Sequence, residues 1–253
     1  GAIGLEITAG GSSVSGLSIY GFDGPGILIR NGGGNHLENN ILGLTAAGLH
    51  QSVGPNNTTG NLVGIKIVDS AGNVIGGPSE FQRNLISRSR THGIEITGVL
   101  ATNNQIVGNF IGTDLNGTNV GLNGHGNLGH GIFISGAPSN VIGGTSDVAK
   151  NVIADSKLYG IAVVRATATG NTIQGNFIGT EVEGKRSNQF MSKGDSSQLP
   201  VLDVGNEQGG ILIQNAPDTL IGNLTNLRGS NGGNLISGNL GYGIHIQGSG
   251  ASN

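Results

Sequence analysis

One four-residue hydrophobic pattern recurs along the whole chain: a glycine, an apolar residue, a variable residue and a second apolar residue. Alternation with a period of two places both apolar side chains on one face of a strand and the variable residue on the other. Each copy therefore predicts a short β-strand with one buried face. The copies begin at Gly4, Gly26, Gly64, Gly93, Gly131, Gly160, Gly210 and Gly243.

We call this glycine-apolar pattern the first phrase. Two further short apolar patterns, the second and third phrases, follow it in a fixed order, and both usually begin with asparagine. The second phrase is Asn, any residue and an apolar residue; it begins at Asn35, Asn73, Asn104, Asn140 and Asn171. The third is Asn followed by two apolar residues; it begins at Asn40, Asn84, Asn109, Asn151, Asn176 and Asn234. Three strands per unit, each paired with its counterpart in the next unit, predict a solenoid with one continuous core.

The recurring asparagines have a structural interpretation. An asparagine at a corner can adopt the left-handed backbone conformation. Its side-chain amide can also hydrogen-bond to the same amide in the units above and below, as in the Asn ladders of stacked parallel strands. We therefore expect the asparagines of the second and third phrases to form ladders and to bind no ligand.

The length of the units varies, from 22 residues between Gly4 and Gly26 to 50 residues between Gly160 and Gly210. Longer units gain their residues mainly after the third phrase, which predicts loops of variable length on one side of a constant body. The longest departure, 182–209, is interpreted as a loop insertion. Because loops on rigid bodies often carry binding sites, it supplies a candidate binding loop with the residues Glu183, Phe190, Met191, Asp195, Leu199 and Asp203.

Composition supports an all-β reading and excludes several classes of protein. The chain has 50 glycines and 29 asparagines, which are poor helix formers and good turn formers. A net charge of −3 gives no electrostatic case for nucleic acid. No apolar run reaches the roughly 18 residues of a membrane span, so membrane insertion is not expected. The absence of cysteine excludes disulfides and thiolate metal sites.

The repeated sequence resembles that of right-handed parallel β-helix repeat proteins of the bacterial secreted or surface class. The resemblance is carried by "GNFIGTDLNGT" at Gly108, "NVIGGTSDVAKNVIAD" at Asn140, "GNFIGTEVEGK" at Gly175 and "NLISGNLGYGIHI" at Asn234. It implies an all-β, single-stranded, right-handed parallel β-helix of about eight coils. It also implies an extracellular or cell-surface location. We expect one continuous domain over 1–253, a segment of a longer protein, because neither end carries the cap that closes natural solenoids.

The variable residues of the first phrase are the natural place for chemistry on such a body. A glycoside hydrolase needs two carboxylates within about 5–10 Å. No acids occupy adjacent units among these positions, which are Glu6, Leu28, Lys66, Glu95, Phe133, Ala162, Leu212 and His245. Lys66 and Glu95 are predicted to form an exposed ion pair. We assign no catalytic residue, and the sequence favours a non-enzymatic protein.

Metal binding has only a weak signal. "DLNG", which contains Asp114 and Asn116, resembles the start of a calcium loop but lacks the terminal glutamate. A turn without metal is the preferred interpretation, and calcium at Asp114 and Asn116 is the alternative. We assign no other cofactor, and no metal ligands among the scattered histidines His36, His50, His92 and His130.

Three functions stay open at this point. The first is a non-enzymatic structural or adhesive module that forms a rod or fibre. The second is a polysaccharide-binding or polysaccharide-cleaving β-helix, a glycoside hydrolase or lyase. It would need acids from distant loops to converge over one face, such as Glu181, Glu183, Asp195, Asp203 and Glu207. The third is a phage tailspike. The partners expected are further copies head to tail, neighbouring domains of the same protein, and glycans.

Overall fold

The fold is seen in a computed structural model that describes residues 1–49, 60–118, 124–184, 205–223 and 232–248. Within these ranges the chain forms 22 short strands and two 3₁₀ turns, at Glu80–Gln82 and Asp147–Ala149. The strands belong to three sheets, and every neighbouring pair within a sheet is parallel. The prediction of a parallel β-helix of about eight coils is confirmed.

Sheet A contains the first phrase of every unit and has eight strands. In order they are β1 (Leu5–Ile7), β4 (Ile27–Arg30), β7 (Ile65–Val68), β10 (Ile94–Thr97), β13 (Ile132–Ser135), β16 (Tyr159–Val164), β19 (Gly209–Gln214) and β22 (Tyr242–Gln247). The glycine-apolar phrase sets the register, since Ile94 lies opposite Ile65 on one side and Ile132 on the other.

Sheets B and C contain the second and third phrases and have seven strands each. Sheet B is β2 (Ser13–Ser15), β5 (His36–Glu38), β8 (Val74–Gly76), β11 (Gln105–Val107), β14 (Val141–Gly143), β17 (Thr172–Gln174) and β20 (Leu220–Ile221). Sheet C is β3 (Ser18–Ile19), β6 (Ile41–Leu42), β9 (Leu85–Ile86), β12 (Phe110–Ile111), β15 (Val152–Ile153), β18 (Phe177–Ile178) and β21 (Leu235–Ile236).

The core is a column of aliphatic side chains that runs through the coils. In β10, Ile94 and Ile96 are fully buried, whereas Glu95 between them is partly exposed on the outer face. The same inward positions of successive coils stack on one another and join the inward residues of sheets B and C in a single cluster. Each coil therefore depends on its neighbours to bury its apolar side, as stacked repeats do.

The connections show that the 67-residue interval between Gly108 and Gly175 corresponds to two coils. Long connections from sheet C to sheet A follow β6, β12 and β18, in every second coil. In the coils between them, extra residues lie instead between sheets B and C, where two of these connections carry the 3₁₀ turns. The extra residues thus lie alternately at two corners, the one between sheets C and A and the one between sheets B and C. The sequence pattern indicated only the corner between sheets C and A.

Candidate functional site

The asparagines of the second phrase form a ladder at the corner between sheets A and B. Asn104 is representative: its Oδ1 accepts bonds from the backbone N–H and the amide of Asn73, at 2.9 and 2.7 Å. Its own backbone N–H and amide donate to Oδ1 of Asn140, at 3.0 and 2.9 Å. The second amide hydrogen is donated to the carbonyl of Ser70. The ladder contains Asn35, Asn73, Asn104, Asn140 and Asn171.

The asparagines of the third phrase form a second ladder at the corner between sheets B and C. Asn109 accepts two bonds from Asn84, at 3.2 and 2.9 Å, and donates to Asn151 and to the carbonyl of Ile75. The members are Asn40, Asn84, Asn109, Asn151, Asn176 and Asn234. These amides are almost wholly used within the protein, which leaves them a structural role.

One expectation about the ladders is wrong. The ladder asparagines do not take up the left-handed conformation. At the first corner the residue directly before each one does, and at the second corner this holds before Asn40, Asn109 and Asn176. At the first corner these preceding residues have φ between 55° and 69° and are Gly34, Gly72, Asn103, Ser139 and Gly170. The chain turns one residue earlier than predicted because the asparagine must already point its side chain inward to join the ladder.

A third ladder, which the sequence analysis missed, lies at the corner between sheets C and A. Asn206 accepts from the backbone N–H of Ser156 at 3.1 Å and donates its amide to Asn239 at 2.8 Å. Asn127 accepts in the same way from Ser89. Asparagine alternates here with serine, so the pattern repeats only every second coil over most of the chain. Its members are Asn61, Asn127, Asn206 and Asn239.

The outer face of sheet A carries a column of stacked rings, which we call the ring column. It arises because the variable residue of the first phrase and the residue before its glycine both point outward. Consecutive rings have centroids between 4.4 and 6.4 Å apart. The ring column consists of His92, His130, Phe133, Tyr159, His245 and Tyr242.

Two histidines of the ring column, His130, which is buried, and His92, which is half-buried, tie successive coils together. The backbone N–H of His130 donates to Nδ1 of His92 at 3.0 Å, and that of Tyr159 donates to Nδ1 of His130 at 3.1 Å. Since Nδ1 is an acceptor in both, the neutral rings carry their proton on Nε2. Burial lowers the pKa of His92, and burial together with the nearby His92 lowers the pKa of His130 to about 4.

The ring column ends at His92, and a pocket of about 540 Å³ opens beside it. The pocket spans β4, β7 and β10 and is lined mainly by apolar side chains, with Leu28 and Leu62 among them. Lys66 and Glu95 contribute an ion pair with an N–O distance of 2.9 Å. The predicted pairing is confirmed, but the pair is half-buried and not exposed as expected. The arrangement combines an apolar floor with a few polar groups, as is typical of ligand sites.

The candidate binding loop is only partly described. Glu183 lies in the exposed turn that follows β18. Phe190, Met191, Asp195, Leu199 and Asp203 fall outside the described residues. Of the other loop acids considered for catalysis, Glu207 pairs with Lys157 on the neighbouring coil. The proposed convergence of loop acids therefore stays a prediction.

Asp114 closes its own turn. Its Oδ1 accepts the backbone N–H groups of Asn116 and Thr118, both at 3.0 Å, and the residue is nearly buried. These bonds match the turn interpretation of the sequence. Among the described residues no three His, Asp or Glu side chains are grouped to hold a metal ion. Calcium at Asp114 and Asn116 stays a prediction.

The glutamates on the outer face of sheet A do not lie in adjacent coils. Its two outward glutamates, Glu6 and Glu95, are separated by the coils that carry Leu28 and Lys66, and each forms an ion pair.

No helix in the described ranges is long and apolar enough to span a membrane. Comparisons with models of protein families, with curated proteins and with solved structures found no match to this chain.

Proposed function

We propose that the chain is a non-enzymatic structural or adhesive module of an extracellular or cell-surface protein. The observation that carries the proposal is the unbroken register of eight coils in sheet A. Backbone groups, asparagine amides and the isoleucine core all make their contacts along the same axis. A body built in this way is stiff, because bending it would open hydrogen bonds and core contacts at the same coil.

The regular body also suits an extracellular location. Strand backbone paired on both sides is a poor protease substrate, because cleavage requires local unfolding. The asparagine ladders add amides that bond almost entirely within the protein, and these hydrogen bonds would be lost on such opening. Protease resistance and stiffness are properties that a surface rod needs.

An adhesive role is supported by the character of the outer face. Sheet A presents rings, apolar side chains and single ion pairs, but no neighbouring carboxylates. Glycoside hydrolysis requires two carboxylates at close range. The partners that fit this proposal are further copies of the chain, neighbouring domains and glycans.

Cleavage of polysaccharides is the activity that would overturn the proposal. The purified chain would be incubated with neutral and acidic polysaccharides, and both reducing ends and the absorbance of unsaturated lyase products would be recorded. We expect neither to rise above a heat-denatured control. Product release that disappears in Glu183→Ala or Asp203→Ala would establish an enzyme whose acids lie in the loop.

A second measurement tests stiffness and resistance directly. Limited proteolysis with a nonspecific protease, followed by mass spectrometry, should cut in the connections that follow sheet C and leave the strands intact. Early cleavage within β7 to β16 would contradict a stiff, continuous body.

A further inference from the structure

We propose that the pocket beside Lys66 binds a sugar ring of a neutral hexose polysaccharide. The pocket, called the Lys66 pocket below, is formed by Leu28, Arg30, Leu62, Lys66, His92 and Glu95 with their neighbours. The inference rests on the adhesive role proposed above and gives that role a ligand class and a location.

Size and position fit one unit of a longer chain. The volume of about 540 Å³ lies within the range of small-molecule sites. The Lys66 pocket is open to solvent and spans three successive coils of sheet A. A polymer can therefore pass along the solenoid axis and place one ring in the pocket while the rest of the chain continues over the surface.

The floor of the Lys66 pocket is apolar and exposed. Leu62 has 37% of its surface exposed, and Leu28 is partly exposed beside it. A hexose ring presents a face of C–H groups, which gains free energy by covering such side chains. Leucine side chains with no cover in a concave site give the ring a place to lie flat.

The end of the ring column supplies an aromatic face. Both rings that stack on His92, those of His130 and Phe133, come from the following coil. Seven of the other nine pocket residues belong to the two preceding coils, and Thr91 and Glu95 belong to the coil of His92 itself. His92 therefore lies between these two rings and the pocket. At the opposite end of the ring column Tyr242 is also exposed, at 59%. The ring that adjoins the Lys66 pocket is His92.

Polar groups surround the apolar floor in a balanced set. The ammonium of Lys66 and the carboxylate of Glu95 lie 2.9 Å apart, so a sugar hydroxyl can donate to one and accept from the other. Arg30 at the far side is paired with Glu6. Each of the two cations that line the pocket, Arg30 and Lys66, is paired with a glutamate, so neither offers an unpaired positive charge that would favour a uronic acid. This balance selects a neutral hexose.

The test is isothermal titration of the purified chain with four probes. Cellohexaose, maltohexaose and mannohexaose represent neutral hexose chains, and hexagalacturonate represents an acidic one. Leu62→Ser removes part of the floor. Leu100→Ser is the matched control, because Leu100 is also exposed, at 65%, but does not line the pocket. Thermal melting confirms that each variant is folded.

We expect at least one neutral hexaose to bind with a millimolar or lower Kd. Leu62→Ser should weaken it about tenfold, the effect of losing one apolar contact, and Leu100→Ser should leave it unchanged. Hexagalacturonate should bind more weakly than the best neutral probe. Absence of binding by all three neutral probes, or equal affinity in the two leucine variants, would overturn the proposal.

The variant Glu95→Gln tests the site through the ratio of the affinities for the neutral probe and for hexagalacturonate. A purely structural role of Glu95 would leave this ratio unchanged. The variant leaves Lys66 without its counter-ion, so the preference should shift from the neutral probe toward hexagalacturonate. An unchanged ratio of the two affinities would contradict the assigned site. Failure of these titrations would leave the stiff, non-enzymatic body intact, since that proposal is tested by proteolysis and product release without any ligand.

Discussion

Replacing Asn109 by alanine tests how much one ladder amide contributes to stability. Asn109 is fully buried in the middle of the second ladder. Its Oδ1 accepts the backbone N–H and one amide hydrogen of Asn84, at 3.2 and 2.9 Å. Its amide donates to the carbonyl of Ile75 at 2.8 Å and to Asn151 at 3.1 Å. Alanine removes all of these bonds and leaves the backbone bond to Asn151.

The magnitude follows from the groups left unpaired. Two buried N–H groups of Asn84 and the carbonyl of Ile75 lose a partner. Each unsatisfied buried polar group costs about 1–3 kcal/mol. Water entering the vacated polar space recovers part of that cost. We therefore expect Asn109→Ala to lower the free energy of unfolding by about 3–5 kcal/mol.

Urea unfolding followed by circular dichroism measures this difference. Asn116→Ala is the matched control, because Asn116 is exposed and only its backbone is used in the turn. The control should change the free energy of unfolding by less than about 0.5 kcal/mol. If the two variants unfolded at the same urea concentration with the same slope, the assigned role of the ladders would be refuted.

Three further predictions concern the ring column and the core. The pKa of His130 is lowered from 6.5 to about 4 in the folded protein, so its neutral ring stabilises the fold fully above pH 6.5, and this contribution is lost as the pH falls through 4. His130→Gln should flatten the pH dependence of the melting temperature over that range; an unchanged profile would exclude His130 as its source. Ile96→Ala should cost about 2–5 kcal/mol in urea unfolding, and the exposed Val99→Ala less than about 0.5 kcal/mol; equal costs would contradict the core assignment. Gly209→Ala places a Cβ 2.8 Å from Cε1 of Tyr159, which should change the near-UV tyrosine circular dichroism; an unaltered spectrum would argue against this packing.

Sheet A and two of the ladders could be predicted because their sequence signals repeat in all or most of the coils. The phrase at Gly93 specifies inward Ile94 and Ile96 whatever occupies position 95, and the core requires the same choice in all neighbouring coils. Asn104 and Asn109 recur because the side-chain amide of each bonds to the equivalent amide of the next coil.

The ring column could not be predicted in the same way. Its members come from two different positions of the phrase, and one coil contributes Gly209 where others have His130 or Tyr159. Stacking depends on which rings face one another across coils, and the sequence spacing does not specify this. The third ladder was missed for a related reason, since Ser156 replaces asparagine in an alternate coil.

The pocket also lay beyond the sequence pattern. Lys66 and Glu95 could be paired from their equivalent positions in consecutive coils. Leu62, however, lies in the connection between β6 and β7, and the connections from sheet C to sheet A differ in length and sequence from coil to coil. The concavity exists only because that connection places an exposed leucine beside the strand face.

The register of consecutive coils is the central claim, and engineered cysteine pairs test it most directly. The chain has no cysteine, and Thr97 lies opposite Ser135 on the outer face of sheet A. Adjacent parallel strands are about 4.8 Å apart, within the range that a disulfide can bridge. Offsetting the pair by two residues raises the Cα separation to about 8 Å, beyond that range.

The measurement is the rate of disulfide formation under mild oxidation, followed by mass spectrometry. The account predicts that Thr97→Cys with Ser135→Cys forms the bond rapidly and nearly completely. Thr97→Cys with Phe133→Cys should form little or none under the same conditions. Equal rates for the two pairs, or faster bonding of the offset pair, would contradict the in-register stacking of the coils.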